Sequence, residues 1–213
     1  MKGNPKPKLT AERIVAEAIT MADGGGIEAV TMRQLARRLG VKAMSLYHHL
    51  ADKEALLSAM VEAVVATMER PDPEMDWKVA MRKRALGMRA ALLRHGWAVP
   101  LMMSRINIGP AMLEHIEGTL SCLRRAGFTV VEADRLWNTM DSQIFGSILL
   151  EIHAPIQPAA YAEAATEYLP LLSPDEYPHF RELAEAVADG SYSGVVDFEA
   201  GFEAILTGCR PDL

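Results

Sequence analysis

The sequence predicts an all-α protein with a small N-terminal domain and a larger C-terminal one. Apolar residues recur at helical spacing along most of the 213 residues, and capping residues, Gly or Pro bound the resulting segments. Charge divides the chain as well: residues 1–53 hold nine Lys and Arg against five Asp and Glu, whereas the remainder holds 13 against 23. We therefore predict a basic three-helix head over residues 1–53, a connector helix over 52–70 and a helical body over 71–213.

The first predicted helix begins at Thr10 and ends at the glycines 24–26. Thr10 has the hydroxyl of a side-chain cap, and a glycine run is typical of a helix end. The apolar residues of this segment form one stripe, which indicates that the helix braces the segment that follows it. The members of the stripe are Ile14, Val15, Ala18, Ile19 and Ala22.

A helix-turn-helix is predicted over residues 31–50. Thr31 and Gln34 have the spacing of a capping box, and the helix that they open carries one apolar face as far as Gly40. Gly40 suits the left-handed position that ends a helix. Leu46 and Leu50 give the second short helix an inward side, so that its other side is left to face outward.

Basic residues surround this motif. Five of them lie within 21 positions, and Asp52 is the only acid among them. A solvated face normally mixes charges of both signs, whereas this one suits DNA phosphates. The pattern therefore favours a recognition helix that enters the major groove over an αα-corner inside a helical protein. The basic residues are Arg33, Arg37, Arg38, Lys42 and Lys53.

The connector helix is predicted from Asp52 to about Arg70, where Pro71 and Pro73 stop it. Its apolar residues spread around more than one stripe, which is typical of a helix that is buried on two sides. We therefore expect it to contact the head at one end and the body at the other.

The body is predicted to consist of helices with recognisable ends. Asp76 begins the first, Gly109 and Pro110 begin another, and Thr129 with Glu132 forms a second capping box. The expected spans are 76–95, with the basic triplet 82–84 facing solvent, 109–127, 129–155, a helix that begins at 173–176, and one from about 193. A short apolar segment covers 97–106, and residues 155–172 are expected to be partly mobile.

The N-terminal third of the chain resembles the TetR family of transcriptional regulators. The resemblance runs from Leu9 to about Met68, and the remainder is similar, more weakly, to the tetracycline-repressor-type C-terminal domain. It implies a repressor that binds double-stranded palindromic operator DNA as a homodimer and is released by a small-molecule inducer. The residues that carry the resemblance are Ile14-Val15, Ala18, the run 26–36, Leu39-Gly40-Val41, Leu46-Tyr47-His48-His49-Leu50, Lys53 and Leu56-Leu57.

The expected DNA contacts follow from the motif and from the resemblance. Short side chains at the start of a recognition helix let it approach the base edges closely. The resemblance implies that Arg33, Lys42, Ala43, Met44 and Ser45 occupy base-reading or groove-facing positions. It also implies that the backbone-contacting or supporting positions are those of Thr31, Tyr47, His48, His49 and Lys53.

The resemblance also implies an inducer site between the helices that follow the connector. The ligand is expected to be apolar or amphiphilic, since the residues there are largely apolar and the His and acidic positions of a Mg²⁺–tetracycline site are not recognisable. The same residues could simply fill a core, because thioether side chains fit irregular gaps. The candidate lining residues are Met60, Val64, Met88, Leu92, Trp97, Met102, Met103, Ile106, Met112, Ile116, Trp137, Met140, Asp141 and Ile144.

Asp141 is unusual because it falls on an apolar stripe, four residues after Trp137 and three before Ile144. A buried carboxylate is costly unless another group pairs with it. Two interpretations stay open: a partner in the core or across the dimer, or a role in fixing a ligand hydroxyl or amine. The candidate partners are Arg105, Arg124 and Arg135.

A homodimer interface is predicted on the helices near 129–153 and 193–209. The second of these carries Phe198, Phe202 and Ile205 on one side, and together the two helices offer more apolar surface than a monomer is expected to cover. By symmetry the contact would bring four helices together.

The sequence also argues against several classes of protein. It has no nucleophile elbow, phosphate-binding glycine loop or zinc-protease motif, so we expect neither an enzyme nor a cofactor. Two cysteines are too few for a disulfide framework, and adjacent His48 and His49 point to different sides of a helix, so no metal site is expected. No apolar run approaches membrane-spanning length, and we expect a cytoplasmic protein. An activator, a ligand-independent regulator or a helical adaptor that does not bind DNA stay open as alternatives.

Overall fold

The computed structural model describes residues 8–195 and 197–211, and over these ranges the fold is all α-helical with no β-strand. Residues 1–7 of the predicted head lie outside the described part. Three short 3-10 segments, at 27–29, 158–160 and 169–171, supplement the α-helices. The α-helices are α1 (Ala11–Gly25), α2 (Met32–Leu39), α3 (Ala43–Tyr47), α4 (Lys53–Val65), α5 (Trp77–Arg94), α6 (Ala98–Ser104), α7 (Pro110–Arg125), α8 (Val130–Ile152), α9 (Tyr161–Tyr168), α10 (Pro178–Ala188) and α11 (Phe198–Gly208).

Side-chain caps begin the helices where the sequence predicts them. The hydroxyl of Thr10 accepts a hydrogen bond from the Arg13 N–H, and the Asp76 carboxylate accepts from the first turn of α5. Thr129 and Glu132 form a complete capping box at α8. At α2 the prediction is half right: Thr31 accepts from the Gln34 N–H, but its own hydroxyl donates to Gln34 Oε1, 2.8 Å away.

The head consists of α1, α2 and α3 around a small apolar core. Ile14 of α1, Leu35 of α2 and Leu46 of α3 are fully buried and belong to one hydrophobic cluster. Gly40 ends α2 in the left-handed region, with φ of 68° and ψ of 34°, so that the chain turns directly into α3. This turn fixes the position of the recognition helix relative to α2.

The connector helix α4 is shorter than the predicted span of 52–70. It ends at Val65, because the chain tightens into a turn in which the Thr67 hydroxyl donates to the Val64 carbonyl and the Met68 N–H donates to the Val65 carbonyl. Pro71 and Pro73 then prevent any return to helix. Within α4, apolar side chains are buried toward both the head and the body, namely those of Leu56, Leu57, Met60, Val61, Val64 and Val65.

The body packs α5, α7, α8 and α11 around one core, and α4 and α6 close it on the side of the head. On α11, Phe198 and Phe202 stack with ring centroids 5.6 Å apart and are buried within the protomer, as is Leu206. The prediction that Phe198 and Phe202 belong to a dimer interface is therefore wrong, because they complete the protomer's own core.

The segment between α8 and α11 is more ordered than predicted. Residues 155–172, expected to be partly mobile, contain α9, which packs against α10 as a helical hairpin. Residues 173–176 form a turn instead of a helix start, and α10 begins later, at Pro178. The last helix begins at Phe198 instead of about 193, because Gly194 adopts a φ of 69° and Asp197 caps the helix. None of the described helices combines the length and the apolarity that a membrane span requires.

Replacing Gly40 with Ala is expected to destabilise the head. The left-handed backbone disfavours a side chain, so the free energy of unfolding should fall by about 1–2 kcal/mol. Gly24 is the matched control: it is helical and a Cβ added there meets nothing within 4 Å. Gly24→Ala should raise stability by about 0.4–1 kcal/mol through the unfolded chain. Urea unfolding of both variants checks the pair, and equal stability of the two would contradict this reading of the turn.

Candidate DNA interface and ligand-binding core

The recognition helix α3 has one buried side and one exposed side. Leu46 is fully buried in the head, whereas Met44 is 69% exposed and Tyr47 is also exposed. Ala43 and Ser45 are half-buried at the start of the helix, which leaves room for close approach to a groove. The structure thus presents the predicted groove-facing side of α3 outward.

The other predicted DNA contacts lie on neighbouring parts of the head. They occupy the start of α2, the α2–α3 turn, the residues just after α3 and the start of α4, and all of them are exposed. These residues are Thr31, Arg33, Lys42, His48, His49 and Lys53.

The basic residues of this surface differ in their ion pairs. Arg38 pairs with Glu17 of α1 at 2.5 Å. Arg33, Arg37 and Lys53 form no ion pair within residues 8–195 and 197–211 and are exposed. Lys53 also lies at the N-terminal end of α4, where the helix dipole favours an anion. The surface is therefore suited to phosphate contacts on both sides of α3.

Polar contacts join the body to the head at one place and to the connector helix α4 at two. The carboxylate of Asp23, near the end of α1, accepts from the Trp97 indole at 2.7 Å and contacts His95 Nδ1 at 2.8 Å. Glu54 of α4 pairs with Arg105, which follows α6. Glu62 of α4 accepts hydrogen bonds from the first backbone N–H groups of α7, those of Ala111 and Met112.

Gly109 makes the Glu62 contact possible. It precedes α7, and a Cβ built at this position would overlap the Glu62 carboxylate. The carboxylate therefore occupies the space that a side chain would take, and it satisfies N–H groups that have no partner inside α7. A contact of this kind holds α4 directly on the N-terminus of α7.

The predicted ligand-binding residues mostly share one core without lining a large cavity. Buried members lie on α4, α5, α8 and the start of α6, and half-buried members lie on α6, α7 and α8. Two of the predicted residues lie outside this core, because Met103 is 58% and Ile106 is 88% exposed. The buried members are Met60, Val64, Met88, Leu92, Trp97, Met140 and Ile144, and the half-buried ones are Met102, Met112, Ile116, Trp137 and Asp141.

Asp141 has partners, but they are not the ones that the sequence suggested. Its Oδ1 accepts from Arg84 Nη2 at 2.7 Å, and its Oδ2 accepts from the Trp137 indole at 2.7 Å. Of the suggested donors, Arg105 pairs with Glu54 and Arg124 donates to the Phe128 carbonyl.

Arg84 also corrects the prediction that the triplet 82–84 faces solvent. Arg82 pairs with Glu203 and Lys83 pairs with Glu69, both at the surface, but Arg84 is only 3% exposed. Side chains two positions apart on a helix, such as those of Arg82 and Arg84, point in directions that differ by about 200° around the helix axis. Arg84 therefore points into the body while its neighbours point out.

His115 of α7, like Arg84, is a buried polar residue that was not among the predicted site residues. It is 5% exposed, and burial lowers its pKa to about 4, helped by the positive charge of Arg84. The side chain is therefore neutral at pH 7. A usable signal exists in the sequence, because His115 falls on the same stripe as Thr119 and Cys122, which are buried too.

A larger cavity lies elsewhere, inside the α9–α10 hairpin. It has a volume of about 660 Å³ and an apolar lining that includes Tyr161, Tyr168, Leu183 and Tyr192. None of the residues predicted to bind a ligand lines it. Ile106 instead borders a cavity of about 280 Å³ between α4 and the segment before α7.

A basic three-helix head with an exposed recognition helix, joined to a helical body, defines the chain as a helix-turn-helix DNA-binding regulator. Comparison with known families agrees: residues 14–60 match the bacterial regulatory proteins of the tetR family, and residues 70–212 match the tetracyclin repressor-like C-terminal domain. The chain therefore belongs to the tetR family of transcriptional regulators. It is a DNA-binding, ligand-responsive regulator, and membership of this family implies a non-enzymatic one.

Curated relatives include named repressors. The chain is 32% identical over 151 residues to the HTH-type transcriptional repressor DrrR1 of Streptomyces coeruleorubidus, and the match covers 70% of this chain and 56% of DrrR1. It is 32% identical to the class E tetracycline repressor protein of Escherichia coli, covering 68% of this chain and 69% of that protein. It is 28% identical to the class G tetracycline repressor protein of Vibrio anguillarum, covering 93% and 95%.

Solved structures share the fold over nearly the whole chain. The Streptomyces coelicolor TetR family protein ActR in complex with actinorhodin superposes with a TM-score of 0.81 at 26% identity, covering 94% of each chain. A possible TetR family regulator from the same organism superposes with a TM-score of 0.73 at 29% identity, covering 93% of this chain and 97% of that one.

Substitutions on the two kinds of DNA-facing residue are expected to differ. Arg37→Ala and Lys53→Ala should weaken binding to every duplex and lower the salt slope by about 0.9 per lost phosphate contact. Met44→Ala and Ser45→Ala should instead change sequence preference, because their side chains face the groove. Fluorescence anisotropy with specific and random duplexes at several salt concentrations checks this. Arg125→Ala, which changes an exposed basic residue at the end of α7, is the control and should change neither property. Equal losses on both duplexes for the Met44 and Ser45 variants would overturn the assignment.

Proposed function

We propose that this regulator is a repressor that holds a palindromic operator as a homodimer and leaves it when an amphiphilic aromatic ligand enters the body. Curated relatives of the chain are named repressors, and ActR is described in complex with actinorhodin. The observation that carries the proposal is the set of polar contacts that ties the head and the connector helix α4 to the body. Because its targets are genomic operators, we also propose that it acts in the cytoplasm.

The DNA-binding state depends on the separation of two recognition helices. In a dimer, two α3 helices must reach major grooves about 34–36 Å apart. A small rotation of each head changes this distance and removes specific contacts from one half-site. A coupling free energy of about 1–3 kcal/mol between ligand and DNA would be typical of such a device.

The ligand signal is proposed to pass through α4. A ligand among α5, α7 and α8 displaces α7, and the Glu62 contact at the N-terminus of α7 transfers that displacement to α4. The Glu54–Arg105 pair carries movement of the segment between α6 and α7 to the same helix. Since Leu56 and Leu57 of α4 are buried, displacement of α4 moves the head with it.

The dimer is proposed to form through the outward sides of α8 and α11. These helices pack against each other in the protomer, and their inner faces are buried there. On α8, Phe145 and Leu149 are only partly buried, and the open space beside Gly146, next to Phe145, lets a partner helix approach closely. This proposal keeps the predicted helices but replaces the phenylalanines of α11 as the contact residues.

Two alternatives share the same head. An activator or a ligand-independent regulator would bind DNA through the same surface, so the sign of regulation remains part of the proposal. The adaptor alternative is not favoured, because both matched family models describe regulators and the head presents basic residues around α3.

Gly109→Ala is expected to uncouple the body from the head. The added Cβ displaces the Glu62 carboxylate from the N-terminus of α7, so the operator should still bind while more ligand is needed to release it. Actinorhodin, which ActR binds, is the first probe. Titration of the operator complex with actinorhodin, followed by fluorescence anisotropy, should require about ten times more ligand for release than in the wild type. This corresponds to a loss of about 1.4 kcal/mol in the coupling free energy.

Gly87→Ala on α5 is the matched control, since a Cβ there meets nothing within 4 Å and release should be unchanged. Normal release from the Gly109 variant would contradict transmission through Glu62. Should actinorhodin release neither protein, the same comparison is made with whichever aromatic ligand a release screen returns, and the absence of any releasing ligand would contradict the proposed ligand-released repressor.

A further inference from the structure

Three polar side chains of α5 and α8 are hydrogen-bonded to one another inside the body, and a buried histidine of α7 lies within the range of their charge. Arg84 pairs with Asp141, Asp141 accepts from Trp137, and Arg84 is close enough to His115 for its charge to act on the imidazole. Arg84 and His115 are 3% and 5% exposed. We call these four residues the buried polar cluster.

The buried polar cluster is not satisfied by the protein. Arg84 gives one nitrogen, Nη2, to Asp141, but its Nε and Nη1 have no hydrogen-bond partner in the described part of the chain. Neither ring nitrogen of His115 has a partner among the same residues. Buried polar groups in proteins are nearly always paired, because leaving them unpaired is unfavourable. A group that served the core alone would be expected to have its partners in the core.

The neighbours of the cluster can make room. Met88 lies one turn after Arg84 on α5, Met112 lies three residues before His115 on α7, and Met140 precedes Asp141 on α8. Flexible thioether side chains repack around a guest at little cost. Trp137, half-buried with its indole N–H held by Asp141, offers an aromatic face at the same place.

The chemistry available to a guest is specific. Both oxygens of Asp141 are already used, so the cluster offers N–H donors on a permanently charged guanidinium. Neutral His115 adds one donor and one acceptor. The Nε–H and Nη1–H groups of Arg84 point to different sides of the guanidinium, so either of them donates one charge-assisted hydrogen bond, the stronger kind, to an oxygen anion.

We propose that the buried polar cluster recognises the ligand through an acidic oxygen group, a carboxylate or an acidic phenol or enol, carried on an aromatic body. The inference rests on the proposed ligand-released regulator and names the class of its ligand. Arg84 binds the oxygen anion, His115 completes the hydrogen bonding, and Asp141 with Trp137 holds the guanidinium in place. Apolar side chains of α5, α7 and α8 surround the rings.

The first test compares three probes on the full-length protein by titration calorimetry at pH 7. Anthracene-2-carboxylate carries the anion, anthracene-2-carboxamide has the same shape without charge, and anthracene has neither feature. The carboxylate should bind at least about tenfold tighter than the amide, as expected for charge-assisted hydrogen bonds in a buried site. Equal affinity for carboxylate and amide, or no measurable binding of the carboxylate, would overturn the proposal.

The second test separates ligand recognition from a structural role. His115→Phe removes two unpaired buried nitrogens, so the melting temperature should rise while carboxylate affinity falls by at least about tenfold. Arg84→Gln should remove the preference for carboxylate over amide, and should that variant fail to fold, the His115 variant decides. Ser147→Ala is the matched control, because this buried hydroxyl already donates to the Ile144 carbonyl. That variant should lose stability and keep affinity.

A lower melting temperature with unchanged affinity in the His115 variant would assign the cluster to the core and overturn the proposal. Operator release is measured separately, by anisotropy with the same probes. Selective binding of the carboxylate without release would leave this inference standing and contradict the proposed release mechanism, so that the two failures are distinguishable.

Discussion

The connector helix α4 is the constraint on which the rest of the structure depends, because one short helix forms part of two cores. Leu56 and Met60 are fully buried and Val64 is nearly so, and Met60 and Val64 were predicted to face the body. A helix of 13 residues that is buried on several sides cannot bend or slide without unpacking both domains. The Glu62 carboxylate adds a directional contact, since it holds backbone N–H groups of α7 that have no other partner within the helix. Head and body are therefore mechanically one unit at this point, although their charges and surfaces differ.

The head and the body differ in how rigidly they are packed. The head is small, tightly packed and fixed by the turn at Gly40, so it presents α3 in one orientation. The body contains the buried polar cluster and several methionines, and buried polar atoms without partners there raise the energy of the ligand-free core. In the proposed mechanism, a ligand that supplies those partners stabilises a different packing of α5, α7 and α8, and this gives the differential affinity that any switch requires. A change in the packing of the body then moves the rigid head through α4.

Local signals predicted the helices well, and long-range packing decided the errors. Thr10, Asp76 and Thr129 cap helices as predicted, because a cap is a contact between residues two or three positions apart. The buried position of Arg84 could not be read from a basic triplet, since only the placement of α8 with Asp141 distinguishes it from Arg82 and Lys83. The phenylalanines of α11 were assigned to a dimer for a similar reason. A stripe of aromatic residues indicates that one face of a helix is buried. Only the fold shows whether that face is buried within the protomer or against a partner subunit. The cavity in the α9–α10 hairpin was missed although the sequence carries a signal, because its lining residues recur at i, i+3, i+4 and i+7 on both helices, at 161, 164, 165 and 168 and at 180, 183, 184 and 187.

The distance between the two recognition helices of a dimer, measured with and without ligand, tests most directly whether α4 transmits the ligand signal to the head. A spin label on a cysteine at position 45, in a protein whose Cys122 and Cys209 are replaced by Ser, reports this distance by double electron–electron resonance. We expect one narrow distance distribution without ligand, a shifted one with a ligand that releases the operator, and a shift in the Gly109→Ala variant that requires about tenfold more ligand. Release of the operator with an unchanged distance would contradict transmission through α4, because the ligand signal would then not reach the DNA as a movement of the head.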